Sequence, residues 1–344
     1  MNPDLIEFSN VVFRFVHVLA AIMWIGNSLL FTWMEVNFIK DPKKNPDGAI
    51  GHMNMLHAGG VYFLEKRVID PNAIPERLHV FKWQSYTTWI SGAILLIMTF
   101  YTRPGTLMLD PSKTDMVGWM ATTISLLSII FAWFVYDLIW RSPLKRKPWA
   151  AATVLTVSLF TYAYWIDGFY NGRFVLLQIG AMIATTMSAN VRFVIIPNQK
   201  KIMAALLDGK PHDLDAGHQA KMRSLTNNYV TFPVLFLMLS SHFPSIYGDP
   251  YYLPIVFVIG AGLAILISFG VLSAIIVAWI GYRMDVADHE GFPIQLSWKA
   301  VSYWPWLIVE IIKSNIAVAG LILGSRENIK PILIRIPANQ KTEL

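Results

Sequence analysis

Cysteine is absent from all 344 residues, which removes disulfides, iron–sulfur clusters, thiolate metal sites and the Cys-x-x-Cys-His attachment of a c-type haem. Charge is scarce: Asp, Glu, Lys and Arg make up 15% of the chain, where a soluble domain carries roughly a quarter. Hydrophobic residues reach 55% and the mean hydropathy is positive, the balance of a polytopic membrane protein in contact with a lipid bilayer. The start of the chain lacks the basic stretch and small-residue cleavage site of a signal peptide, since Asp4 and Glu7 lead into the first apolar run. That run is therefore expected to be retained. A net charge of +6 does not argue for nucleic acid, because the basic residues are spread over the segments between apolar runs, where topology accounts for them.

What is present is a series of apolar stretches of membrane-spanning length. Apolar length and breakers predict spans at 11–34, 83–101, 117–140, 149–166, 174–196, 229–242 and 253–282. The sixth is short for a crossing and needs residues from about Arg223 onward. An eighth segment, 304–323, carries a polar-to-small strip of Glu310, Lys313 and Ala317 and suits an interface or packing against a partner protein. Residues 332–336 read as a short strand between Pro331 and Pro337. The expected fold is all-α: a polytopic helical membrane bundle of seven to eight transmembrane helices with a short, partly irregular C-terminal tail. Basic residues crowd the first, third and fifth connections, among them Lys66, Arg67, Lys82, Lys145, Arg146, Lys147, Lys200, Lys201 and Lys221. The second, fourth and sixth hold few or none, so the positive-inside rule puts the odd connections in the cytoplasm and the amino terminus outside.

Inside the first span stands His17. Arg14, His17, Ala21, Trp24 and Ser28 follow the three-to-four spacing of one helix face, so the polar groups can turn together toward a bundle interior. Neutral imidazole offers a lone pair to haem iron or another metal, and equally a hydrogen bond to a neighbouring helix; this segment admits both readings. His79 precedes the second span, His242 ends the sixth, and His57 lies in the first connection before Gly59-Gly60. His17 with one of these could supply the two axial positions of a haem. Arg14, Gln84, Asn227 and Asn228 are polar groups within or beside the spans; arginine with amides suits a planar, amide-rich, weakly acidic ligand.

Two stretches, Phe15-Val16-His17-Val18-Leu19-Ala20-Ala21-Ile22-Met23-Trp24-Ile25-Gly26 and Leu78-His79-Val80-Phe81-Lys82-Trp83-Gln84, carry a specific likeness. It continues through Ser188-Ala189-Asn190, Ile196-Pro197-Asn198-Gln199, Arg223-Ser224-Leu225-Thr226-Asn227-Asn228-Tyr229 and Ser240-Ser241-His242-Phe243-Pro244. Over residues 1–264 the chain resembles the membrane domain of bacterial urate hydroxylases of the PuuD type, the cytochrome c-linked urate oxidases. The resemblance implies an oxidoreductase of the bacterial inner membrane that converts urate to 5-hydroxyisourate in purine catabolism and passes electrons to cytochrome c. It also implies haem b held by His17 with His79, His57 or His242, and purine contacts drawn from Arg14, Asn227, Asn228 and Gln84. A broader similarity, to haem-binding membrane oxidoreductases with other substrates, rests on His17 followed by Trp24 and Gly26. Many family members carry a C-terminal cytochrome c domain; with no cysteine, this chain is expected to use a separate soluble or membrane-attached cytochrome c, with no covalent haem c of its own. Residues 265–344, through Met284-Asp285-Val286-Ala287-Asp288-His289-Glu290-Gly291 and Tyr303-Trp304-Pro305-Trp306, resemble instead the E-type component of multisubunit cation/proton antiporters. That likeness implies other antiporter components as further partners, and makes an accessory role in a Na+/H+ antiporter assembly the alternative function.

Overall fold

In the computed structural model, α1 runs from Pro3–Asn37 and presents Phe8, Val11, Phe15, Val18 and Ile22 outward, the exposed apolar stripe expected of a helix against lipid. The structure describes residues 3–268 except positions 42, 44, 47, 68–79, 209 and 211–212. After α1 come a hairpin, β1 (Ala49–His57) and β2 (Gly60–Arg67), then α2 (Trp83–Leu96), a π-helical turn (Ile97–Tyr101) and the short α3 (Pro104–Leu107). α4 (Gly118–Arg141), α5 (Pro148–Asp167) and α6 (Gly172–Ala189) follow. A second π-helical turn (Asn190–Ile195) leads into α7 (Ile196–Leu207), and α8 (Leu214–Ser240), α9 (Pro244–Tyr247) and α10 (Tyr252–Ser268) complete the order.

The all-α class is as expected, and four helices among the described residues are long and apolar enough to cross a membrane: Asp4–Glu35, Gly118–Arg141, Pro148–Asp167 and Gly172–Leu207. The expected sixth span is part of a longer helix whose first half, with Asp215, Lys221 and Arg223, is polar. The span expected at 174–196 does not end there but continues through Pro197. The chain stays helical because the preceding turn is π-wound, which re-spaces the carbonyls that an interior proline would otherwise strand or strike. The eighth segment and the strand at 332–336 lie outside the described residues.

The hairpin is an addition to what the sequence predicts. β1 and β2 pair antiparallel, Met53 opposite Leu64 and His57 opposite Gly60, around a two-residue turn with Ala58 at φ 51° and Gly59 at φ 76°. Both positive angles are those of a type I′ turn, whose twist matches the strands. Phe38 packs on Gly51, and Lys66 pairs with Glu35, so the hairpin base is tied to the end of α1.

α6 is the buried centre of the helical bundle. Phe174, Leu176 and Ile179 are almost fully enclosed, with Met108, Ile166, Tyr170 and Val256 packed in the same core. Asn171 caps α6 by accepting from the Phe174 amide at 2.9 Å, which satisfies one of the free N–H groups of the first turn. α1 and α2 run antiparallel, since Asn10 reaches Thr99 while Phe31 stacks edge-on to Phe81. At the end defined by Thr32 and Phe81 also lie Asp137, Asn190, Arg223 and Asn228. The opposite end holds Tyr101, Ser125, Gln178, Asp167 and Tyr252. The basic connections of the first, third and fifth loops thus share one end of the bundle.

Candidate functional site

His17 is the side chain that α1 turns inward at its middle, half-buried against α2. Its Nδ1 lies 2.9 Å from the Thr88 carbonyl oxygen and 3.1 Å from Ser91 Oγ. A carbonyl only accepts, so Nδ1 must carry the proton, and in the neutral ring the lone pair is then on Nε2. This is how a ligating histidine is oriented in metal sites: a backbone carbonyl holds one nitrogen as donor and leaves the other basic. Room for the ring comes from Gly92, where a Cβ would stand 2.9 Å from imidazole Cε1. Gly92→Ala is accordingly expected to push the ring off its Thr88 contact and cost about 1–3 kcal/mol, the usual range for overpacking. Thermal unfolding of the detergent-solubilised variant checks this; an unchanged midpoint would contradict it.

The other sequence candidates do not gather at His17. His57 is exposed at the turn end of the hairpin, and His242 is exposed in the turn that ends α8. His79 lies outside the described residues. Arg14 is exposed, its Nε donating to Asn10 Oδ1 at 2.5 Å, so it does not share the inward face with His17. Trp24 does turn inward, packing with Tyr86 against Val191, Ile195 and Ile196. Among the described residues no three His, Asp or Glu side chains form a metal-binding group. His17 therefore offers a basic Nε2 of the kind that ligates metals, and the described residues place no second histidine with it.

A second polar cluster fills the basic end of the bundle; the sequence offered its Asn227 as a purine contact but not Arg223 or Asp137. Arg223, only 6% exposed at its side chain, donates from Nη2 to Asp137 Oδ1 at 2.6 Å and from Nη1 to Asn190 Oδ1 at 3.4 Å. Asn190 donates onward to Asn227 Oδ1 at 2.9 Å and to the Tyr136 hydroxyl at 3.1 Å, and Asn227 donates to the Met187 carbonyl at 2.9 Å. The rings of Tyr136, Trp133 and Trp140 surround the guanidinium at 4.8, 5.8 and 5.9 Å. Arg141 holds the other oxygen of Asp137 at 2.5 Å, so two guanidiniums and one carboxylate leave a net positive charge. The indole N–H of Trp140 is buried without a partner among the described residues. Asn190 opens a π-helical turn, a distortion that recurs at functional sites. Of the expected purine contacts, Asn227 belongs to this cluster, Asn228 donates to Thr32 Oγ1 at 3.3 Å, and half-buried Gln84 stands in the first turn of α2 at the same end. Arg14 is at the other end.

A family model described as urate oxidase N-terminal matches residues 3–282. A second, described as a Na+/H+ ion antiporter subunit, matches residues 251–344. The two overlap over 251–282. No curated protein and no solved structure matches the chain.

Proposed function

With a family model spanning 3–282 of its 344 residues, the chain belongs to the urate oxidase N-terminal family, and from that premise we propose that it oxidises urate to 5-hydroxyisourate in the bacterial inner membrane. In this reading His17 would hold a haem b through Nε2, with His79 as the partner of choice because His57 and His242 are exposed. A bound haem would supply one-electron acceptance, with a separate cytochrome c as the final acceptor and water as the source of the added oxygen. Thr88 keeps the imidazole proton on Nδ1, and Gly92 lets the ring lie close to α2. We place purine recognition beside the Arg223 cluster, where half-buried Gln84 and Asn228 stand at the same end of the bundle and the cluster's net positive charge suits a weakly acidic ring rimmed with amide groups; the amides of Asn190 and Asn227 are spent within the cluster. The basic connections gathered at that end support a cytoplasmic position for it and an amino terminus outside. Seven or eight crossings, counting those in 253–282 and 304–323, complete the topology.

The observation that carries this reading is the family match over His17, together with a backbone carbonyl that dictates its tautomer. The test is cytochrome c reduction by the purified protein. Urate is expected to drive it, with loss of urate absorbance and two cytochromes reduced for each urate consumed. A haem-containing protein that reduces cytochrome c with another donor but not with urate would mean an oxidoreductase of different substrate. The match over 251–344 supports a second reading, an accessory role in a Na+/H+ antiporter assembly. Copurification with other antiporter components, without urate turnover, would favour it.

A further inference from the structure

A cleft of about 590 Å3 opens between α4, α5, α6, α8 and α10. Its volume falls within the roughly 300–1,000 Å3 of small-molecule sites. Leu127, Phe131, Leu159, Val256 and Phe257 make its walls apolar, which excludes urate, whose ring nitrogens and oxygens would be stranded there. The few polar atoms are concentrated on α5. Ser158 and Tyr162 stand one turn apart on one helix face, and Tyr162 donates to Ser128 across the cleft wall. On α5 Thr153 spends its hydroxyl on the Trp149 carbonyl at 2.9 Å, whereas the exposed hydroxyls of Ser158 and Thr156, both lining the cleft, have no partner among the described residues. An apolar, partly aromatic slot with an unspent hydroxyl donor suits a flat ring that carries carbonyl acceptors. An acyl chain would leave that donor unused.

We propose that this cleft binds a lipid-soluble quinone, which serves as a two-electron acceptor beside cytochrome c. Its redox role rests on the urate reading above; its binding does not. The balance is urate plus water plus quinone giving 5-hydroxyisourate plus quinol. A carbon–oxygen bond forms between the purine and water, the purine gives up two electrons, and two protons are released. The quinone ring takes the electron pair and its two oxygens take the protons. Ser158 donates to one carbonyl, and Trp165, which also lines the cleft, lies within reach as an optical reporter.

The experiment titrates decylubiquinone into the purified full-length protein without urate, following tryptophan fluorescence, and then repeats the titration with urate while following quinone reduction at its absorbance band. Saturable quenching is expected, weakened about tenfold in Ser158→Ala, the loss of one hydrogen bond in an apolar site. Ala261→Phe, which fills the cleft, is expected to abolish it. Should Ala261→Phe not fold, Ser158→Ala and Tyr162→Phe still decide, because each removes one polar group and leaves the packing in place. Linear quenching alike in every variant, as partitioning into detergent would give, overturns the cleft as a quinone site. Variant-sensitive binding without urate-driven quinone reduction leaves the site standing and overturns its redox role; if urate also fails to reduce cytochrome c, the urate reading falls with it. Urate-driven cytochrome c reduction with no saturable quinone binding does the reverse.

Discussion

Asp137→Asn is expected to destabilise the folded protein by about 3–5 kcal/mol, the cost of leaving a buried guanidinium without its counter-ion. Arg223 is enclosed by Tyr136, Trp133 and Trp140, and its short bond to Asp137 is the charge contact that offsets its removal from water. The amide of Asn190 is a longer and weaker partner at 3.4 Å. Arg141, bonded to the other carboxylate oxygen, is 71% exposed at its side chain and keeps its hydration, so Arg141→Ala should change stability little. The double replacement Asp137→Leu with Arg223→Met removes both charges and is expected to recover most of the loss. Thermal unfolding in detergent measures all three. An Asp137→Asn shift no larger than that of Arg141→Ala would show that the pair is solvated and that the cluster is not a dry polar core.

This cluster shows where sequence reading runs out. Arg223 follows Lys221 in a polar stretch and reads as part of a basic connection; its partner Asp137 is 86 positions away, and only the packing of α4 against α8 brings the carboxylate to it. A signal did exist. An aspartate in the last turn of an otherwise apolar helix calls for a buried cation, and Arg223 and Asn227 share a helix face. The apolar runs, by contrast, were legible because lipid demands length and apolarity, and Gly118–Arg141 and Pro148–Asp167 fall close to the spans expected at 117–140 and 149–166. The hairpin at 49–67 is not legible in the sequence although Val61, Tyr62, Phe63 and Leu64 have the composition of a strand, because Ala58 occupies a turn position that usually belongs to asparagine or glycine. Proline at 197 looked like a helix end for the opposite reason: the π-helical turn that accommodates it leaves no mark in hydropathy.

His17→Ala is expected to have the largest effect on activity, removing the proposed haem ligand and with it both colour and urate-driven electron transfer. The helix around it should persist, since His17 bonds its neighbour through Nδ1 alone while α1 stays held through Asn10 to Thr99 and Phe31 to Phe81. The imidazole was the feature most visible in the sequence, because an ionisable group in the middle of an apolar span is costly unless it is used. Its tautomer was not visible. That follows from Thr88, 71 positions away, whose carbonyl fixes the proton on Nδ1.

The most direct test of the account is therefore the oxidised and reduced absorption spectrum of the purified protein, recorded before and after urate, for the wild type and for His17→Ala. The account predicts b-type haem bands that urate reduces in the wild type and that are lost in a folded His17→Ala protein. Bands of undiminished intensity in that variant, still reduced by urate, would contradict it.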